Sequence, residues 1–229
     1  MLFGDNMIIE VKKLTKTYGG SVPTHALKGV SFGIEKGEFV AIMGRSGCGK
    51  STLLHQLGIL DEPTSGDIFI ENVNIVSFSN EDKTNFRLKK LGYVFQEYAL
   101  LPELTALESV YLPLMMSGVS KNEYLERGKE VLTEVGLRDR FDHLPKEMSG
   151  GEQQRVAIAR ALVNKPAILF ADEPCANLDS ESSETVLKLF RKLNTELNQT
   201  IIMVTHEPED EDFVDSVIWM KDGSISEKR

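Results

Sequence analysis

The sequence is poor in cysteine, poor in positive charge and free of long apolar runs. Its two cysteines, Cys48 and Cys175, have no metal-ligand spacing, so neither a disulfide framework nor a cysteine metal site is expected. Lys and Arg number 26 against 35 Asp and Glu, giving a net charge of −9, which argues against a nucleic-acid partner. No apolar run approaches the ~18 residues that span a bilayer, and no signal peptide is visible. These absences predict a cytoplasmic chain that reaches a membrane only through a partner.

The most informative stretch is Gly44–Ser51, which reads Gly-Arg-Ser-Gly-Cys-Gly-Lys-Ser. It follows a short apolar run and precedes a helical pattern, the context that a P-loop requires. Glycines let the backbone approach a ligand closely, and successive N–H groups then form an anion site at the start of a helix. A glycine turn that binds nothing is the alternative, which these flanks disfavour. We predict that a nucleoside triphosphate contacts Gly44, Arg45, Ser46, Gly47, Cys48, Gly49, Lys50, Ser51 and Thr52, with Lys50 at the β/γ-phosphates and Ser51 on Mg²⁺.

A pair of acids follows the continuous apolar run 167–171, which is typical of a buried parallel strand. Asp172 and Glu173 would then lie at the carboxyl end of that strand, where α/β sheets place their ligands. We expect Asp172 to hold Mg²⁺ through water and Glu173 to orient or deprotonate the attacking water. His206 ends the next β-branched run, at the same expected edge, where it could donate a hydrogen bond to a γ-phosphate. His55, in contrast, is expected at the surface of its helix rather than as a ligand.

Two further features can each be explained either by a binding role or by an ordinary structural role. Tyr18 precedes a Gly-rich loop, and it is either a half-packed tyrosine at the end of a strand or a platform for an adenine ring. Ser149-Gly-Gly-Glu152 precedes a long helical pattern, and it is either a second anion site or a plain N-terminal cap.

Residues 97–147 differ in character from the β-rich stretch before them. The segments 104–112 and 122–135 have helical apolar spacing, and no strand signal lies between them. We predict a helical lobe inserted between two strands of a sheet. Apolar residues such as Met115 and Met116 form either a small local core or a docking surface.

Taken together, these motifs resemble those of the ATP-binding cassette (ABC) transporter family. The similarity runs from Ile8 to about Ile225, and the runs 37–44, 60–66, 94–96 and 101–110 are similar to the branch of lipoprotein-release and macrolide-export ATPases. The chain departs from the family pattern at Met148, at Glu152 and at the pair 175–176. The family's motifs appear in order as the P-loop, Gln96, Ser149-Gly150-Gly151, Asp172-Glu173, Asp179 and His206, with Tyr18 as the adenine-stacking aromatic.

The resemblance implies an α/β fold: a P-loop NTPase core with a mixed sheet and flanking helices, an antiparallel β layer and an inserted α-helical subdomain. One domain would span 1–229, with 1–96 and 148–229 as the ATP-binding core and layer, and 97–147 as the helical subdomain. Cys48, at a variable P-loop position, would be reachable by a thiol reagent.

The resemblance also implies ATP hydrolysis with Mg²⁺ in a head-to-tail dimer. Catalysis would involve Glu173, His206 and Lys50, while Ser51, Gln96 and Asp172 would lie at the metal. Ser149, Gly150, Gly151, Glu152 and Asp179 would act across the dimer on the partner's ATP. The segment 97–147 would dock on an integral membrane permease at the inner face of the membrane and drive export of a lipoprotein, lipid or peptide. The alternative is a soluble cassette ATPase that is not coupled to transport, for example one acting in cluster assembly.

Overall fold

The computed structural model describes residues 6–20 and 22–229. The strands are β1 (Met7–Tyr18), β2 (Thr24–Glu35), β3 (Phe39–Gly44), β4 (Ser65–Ile70), β5 (Val73–Asn74), β6 (Leu91–Val94), β7 (Ile168–Asp172), β8 (Thr200–Val204), β9 (Ser216–Lys221) and β10 (Ser224–Lys228). The α-helices are α1 (Lys50–Leu57), α2 (Asn80–Lys90), α3 (Ala106–Met116), α4 (Lys121–Glu134), α5 (Gly150–Leu162) and α6 (Ser180–Leu197).

The strands form two sheets. Four of them make an antiparallel sheet in the order β2-β1-β4-β5, and six make a mixed sheet in the order β10-β9-β3-β8-β7-β6. In the mixed sheet, β9, β3, β8, β7 and β6 are mutually parallel, and β10 adds an antiparallel edge. The predicted combination of a mixed sheet, flanking helices and an antiparallel layer is confirmed.

The alternation of side chains along the central strands divides the core in two. Phe39, Leu169 and Ile201 belong to the cluster that includes α5 and α6, whereas their neighbours Val40 and Ile202 belong to the cluster shared with α1 and the antiparallel sheet. Successive strand residues point to opposite faces, so an apolar run buries both faces of the sheet. As a result α1, with fully buried leucines at 53, 54 and 57, lies between the two sheets.

Residues 97–147, all of which the structure describes, contain α3, α4 and two short 3₁₀ turns and no strand. Helix α3 begins two residues later than the apolar pattern indicated and continues to Met116, because Thr105 and Glu108 form a capping box that fixes its start. Both helices pack on α5 through Val110, Val131 and Leu132. The sequence also missed the short strand β5 and the continuation of β1 as far as Tyr18.

The register of the parallel strands brings their carboxyl ends to one edge. Val94 pairs with Ala171, Asp172 with Val204, and Ile42 also with Val204. The segments that follow β3, β6, β7 and β8 therefore begin side by side. No helix within 6–20 and 22–229 has both the length and the apolarity needed to cross a membrane.

Helix α5 and strand β6 approach each other so closely that Gly92 has no room for a side chain. A Cβ at this position would lie 2.5 Å from the Ala161 carbonyl oxygen and 2.9 Å from Leu169 Cδ1. We expect Gly92→Ala to lower the free energy of unfolding by about 1–3 kcal/mol, because the helix must move off the strand. Urea denaturation measures this, with Gly19→Ala as the control, since nothing lies within 4 Å of a Cβ there. Equal stability of the two variants would contradict the close packing.

Candidate active site

The loop Gly44–Gly49 connects β3 to α1 in a conformation that only glycine adopts readily. Gly44, Gly47 and Gly49 have φ angles of 147°, 75° and 105°. A Cβ on Gly44 would lie 2.3 Å from the Met220 carbonyl oxygen, and one on Gly49 would lie 2.5 Å from that of Ala26. Gly49 caps α1 without a side-chain hydrogen bond, so the first N–H groups of the helix are available to an anion.

The two polar residues that open α1 point in different directions. The buried Lys50 donates from Nζ to the carbonyl oxygens of Gly44 at 2.9 Å and Arg45 at 3.4 Å, so its ammonium lies inside the loop. The Ser51 hydroxyl donates to Asp172 Oδ1 at 3.1 Å. The side chains of Arg45 and Ser46 are exposed.

Ser51 and Asp172 supply a pair of oxygen ligands suited to Mg²⁺. Both are hard oxygen groups, and Mg²⁺ is commonly held by one or two protein oxygens together with phosphates and water. Within the described residues, no group of three or more His, Cys, Asp or Glu side chains is arranged as a metal site. The residues present therefore fit Mg²⁺ bound together with a nucleotide, and they do not form an all-protein cage.

Glu173 follows β7 in a strained conformation. Its φ is 45°, in the left-handed region that disfavours a side chain, and its N–H donates to the Val204 carbonyl oxygen at 3.0 Å. The exposed His206 brings Nδ1 to 3.4 Å from Glu173 Oε2 and Nε2 to 3.1 Å from Glu207 Oε1. The structure thus brings Asp172, Glu173 and His206 to the carboxyl edge of the parallel strands. They lie beside the loop Gly44–Gly49, called the phosphate loop below.

A cleft of about 650 Å³ joins the phosphate loop to Tyr18. Besides backbone and side chains of the loop, it is lined by Tyr18, Thr52, Glu173, Asp222 and Gly223. Glu173 also lines a second cleft, of about 670 Å³, that contains His206. His206 lines this second cleft and is not among the residues that line the cleft of the phosphate loop.

Tyr18 is held by Asp61, a residue that the sequence analysis did not identify. The Tyr18 hydroxyl donates to Asp61 Oδ2 at 2.9 Å, and Lys16 lies 2.7 Å from Asp61 Oδ1 and 4.8 Å from the Tyr18 ring centroid. Burial alone would raise the pKa of Asp61, but the hydrogen bonds from Lys16 and Tyr18 lower it. The carboxylate therefore stays charged and fixes an aromatic ring that is 40% exposed toward the cleft.

Gln96 is exposed, and its backbone carbonyl accepts a hydrogen bond from Asn177 Nδ2 at 3.1 Å. Among residues 6–20 and 22–229, no hydrogen bond joins its side chain to Ser51 or Asp172. The structure brings Gln96 to the same edge of the sheet but does not bring its side chain to the expected metal ligands.

Ser149–Glu152 form a capping box at the start of α5. Ser149 N donates to Glu152 Oε2 at 2.8 Å, and Glu152 N donates to Ser149 Oγ at 3.2 Å. The hydrogen bond from the Ser149 backbone, followed by Arg140, lowers the pKa of Glu152. None of these residues lines the cleft of the phosphate loop. Asp179, exposed, caps α6 by accepting from Ser182 N at 2.9 Å.

The two glycines of this segment are tightly surrounded. A Cβ on Gly150 would lie 2.9 Å from the Tyr98 hydroxyl oxygen, and one on Gly151 would lie 2.9 Å from Ser182 Oγ. Arg160 of the same helix donates to the carbonyl oxygens of Tyr98 and Ala99. The start of α5 is therefore packed against both the segment after Gln96 and the start of α6.

The expected accessibility of Cys48 is wrong. The side chain is 6% exposed and belongs to the core cluster between the sheets, with Sγ only 2.8 Å from where a Cβ on Gly44 would lie. The loop folds with this side chain directed inward, a direction that spacing alone does not specify. Burial raises the pKa of the Cys175 thiol to about 12, which disfavours its reactive thiolate form.

Known proteins resemble this chain along nearly all of its length. Residues 27–176 match the family model described as ABC transporter. The lipoprotein-releasing system ATP-binding protein LolD of Aquifex aeolicus is 48% identical, over 94% of this chain and 93% of that protein. The macrolide export ATP-binding/permease protein MacB of Syntrophobacter fumaroxidans is 44% identical, over 95% of this chain and 31% of that protein.

A solved structure of the Methanocaldococcus jannaschii ATP-binding cassette MJ0796, a dimer in a post-hydrolysis state bound to ADP and Pi, shares the fold. The TM-score is 0.89 at 43% identity, and the match covers 96% of this chain and 97% of that chain. The chain therefore belongs to the ABC transporter family, and within it to the branch of ATPases that includes the lipoprotein-releasing and macrolide-export proteins.

Proposed function

We propose that the chain hydrolyses ATP between two head-to-tail copies of itself and so powers a membrane permease. The observation that carries this proposal is the separation of two glycine-containing helix starts in one chain. The phosphate loop lines a cleft with Tyr18 and Glu173, whereas Ser149–Glu152 lie outside it. A second copy can bring its own 149–152 segment to the open side of that cleft, and the dimeric state of the related cassette supports this arrangement.

In this proposal the cleft holds the whole nucleotide. The adenine stacks on Tyr18, whose ring Asp61 fixes, and such stacking contributes about 1–3 kcal/mol. The backbone N–H groups of 44–52 surround the phosphates. The Lys50 ammonium, which donates to the carbonyl oxygens of Gly44 and Arg45 inside the loop, would pair with the β- and γ-phosphates.

Ser51 and Asp172 would hold Mg²⁺, with Gln96 as a further ligand. When bound, Mg²⁺ neutralises charge that develops on the phosphate oxygens during transfer. The 3.1 Å contact between Ser51 Oγ and Asp172 Oδ1 keeps the two ligand oxygens adjacent.

Glu173 would act on the attacking water. Its left-handed backbone turns the side chain into the cleft beside the phosphate loop, where a carboxylate can accept the proton of the water. His206, 3.4 Å from Glu173, would restrain the carboxylate and donate to the γ-phosphate. Asp179, at the start of α6, would reach the partner's site.

The segment 97–147 would dock on the permease at the inner face of the membrane. Its exposed apolar side chains include Leu101, Met115 and Met116, which are 53%, 46% and 68% exposed. Such side chains suit a protein interface. The cargo would be an extruded lipoprotein, lipid or peptide; the relatives named for lipoprotein release and macrolide export support export as the direction, and the former supports a lipoprotein.

Replacing the proposed base should separate ATP binding from hydrolysis. We expect Glu173→Gln to bind ATP, to elute as a dimer in its presence, and to lose ATPase activity by about 100-fold or more, the contribution of a general base. Sizing chromatography and phosphate release measure these two effects. Glu196→Gln, at the exposed end of α6, is the control with the same charge change. A Glu173→Gln chain that stays monomeric and fully active would show that the base is wrongly assigned.

A charge at the start of α5 should block dimerisation without blocking nucleotide binding. We expect Ser149→Arg to bind a fluorescent nucleotide normally, because Ser149 lies outside the cleft, but to lose the ATP-dependent dimer and most ATPase activity. Ser120→Arg, at the start of α4 where the serine makes no capping hydrogen bond, is the control. Loss of nucleotide affinity in Ser149→Arg would count against a site composed of two chains.

Charge on the exposed apolar residues of the helical lobe should disrupt coupling to the membrane. We expect Met116→Glu to abolish co-purification of an integral membrane protein from a detergent extract while the ATPase activity of the isolated chain is retained. Val73→Glu, 43% exposed on the antiparallel sheet, is the control. If Met116→Glu still retains the membrane protein, docking takes place elsewhere; if the parent chain retains none, the uncoupled cassette becomes the better explanation.

A further inference from the structure

The Asp172 carboxylate lies between two side chains of the same helix. Ser51 Oγ is 3.1 Å from Oδ1, and His55 Nε2 is 3.4 Å from Oδ2. Residues four apart lie on one face of an α-helix, so the Ser51-x-x-x-His55 spacing aims both groups at one carboxylate. The sequence predicts His55 at the surface of its helix, and its side chain is 38% exposed.

The burial of Asp172 makes the contact with His55 significant. The Asp172 side chain is only 17% exposed, and a charge largely removed from water needs partners for both oxygens. Ser51 donates to Oδ1, and the imidazole of His55 lies 3.4 Å from Oδ2. Without His55, Oδ2 would lose this contact and the Ser51 hydrogen bond alone would orient the carboxylate.

Tyr93 limits where the imidazole can lie. The two ring centroids are 6.3 Å apart, and Tyr93 packs in turn on Phe95 and Phe170. The Tyr93 hydroxyl is buried with no hydrogen-bond partner in the described part of the chain. Burial, and then the Asp172 charge, raise its pKa, so the phenol remains neutral. The imidazole of His55 therefore lies next to the uncharged aromatic cluster of Tyr93, Phe95 and Phe170 and next to the Asp172 carboxylate.

We propose that His55 is a positioning residue for Asp172, holding Oδ2 so that Oδ1 and the Ser51 hydroxyl stay together as cation ligands. The inference rests on the proposed function, because it assigns Ser51 and Asp172 to Mg²⁺. Groups that orient a ligating carboxylate typically contribute 10–100-fold to metal affinity. His55 touches neither nucleotide phosphate nor attacking water in this role, so it acts on metal binding through Asp172 alone.

Two substitutions of His55 distinguish orientation from bulk. His55→Gln keeps an N–H donor, and His55→Leu keeps similar size without a donor. His143→Leu, in the helical lobe, is the control for replacing a partly exposed histidine. Urea denaturation first establishes that each variant is folded. Binding of Mn²⁺, which prefers the same oxygen ligands as Mg²⁺, is then followed by electron paramagnetic resonance in the presence of ADP, with ADP alone as the blank.

We expect His55→Leu to weaken Mn²⁺ binding by about tenfold or more, and to raise the Mg²⁺ concentration for half-maximal ATPase activity by a similar factor. His55→Gln should retain most of the affinity, and the binding of a fluorescent nucleotide in EDTA should be unchanged in both. Mn²⁺ binding by His55→Leu as strong as that of the parent chain would overturn this inference and leave the proposed function intact. An equal loss of metal-free nucleotide binding would overturn it too, since His55 would then support the loop instead of the carboxylate. A parent chain that binds no nucleotide would overturn the proposed function as well.

Discussion

The parallel ladder of β3, β8, β7 and β6 is the constraint on which the site depends. Its register puts the ends of these strands side by side, and each end leads directly into one functional segment. A shift of one residue in β7 would turn Asp172 toward the opposite face of the sheet, since side chains alternate along a strand. Both faces of these strands are buried in apolar clusters, so any such shift would also exchange side chains of different size between the two clusters and disrupt their packing. The core therefore fixes the geometry of the site.

Local features of the site could be predicted from the sequence, whereas contacts between distant segments could not. The glycine positions of the phosphate loop, the Ser149 cap and the strand ends at 172 and 204 follow from patterns within a few residues. Asp61 holds Tyr18 from 43 residues away, and no local pattern joins the two. The inward direction of Cys48 depends on the packing between the sheets. His55 lies between these cases, since its i, i+4 relation to Ser51 was readable but its partner on β7 was not.

Helix α5 packs against two other segments, the one that follows Gln96 and the start of α6. Tyr98 fills the space beside Gly150, Arg160 binds the Tyr98 and Ala99 carbonyls, and Ser182 fills the space beside Gly151. Burial of Arg160 makes an unpaired guanidinium costly, which favours keeping these contacts. The segment after Gln96 therefore contacts α5 near both of its ends, at Gly150 and at Arg160.

In the proposed function, the positive φ of Glu173 sets folding against hydrolysis at a single position. A non-glycine residue held in the left-handed region costs on the order of 1–3 kcal/mol, and glycine would occupy the same backbone conformation with less strain. The side chain that the proposed chemistry requires is therefore not the one that the backbone prefers. Under that proposal, relaxed selection for turnover would let this position drift toward a more stable and inactive chain, a trade-off between stability and activity located at one residue.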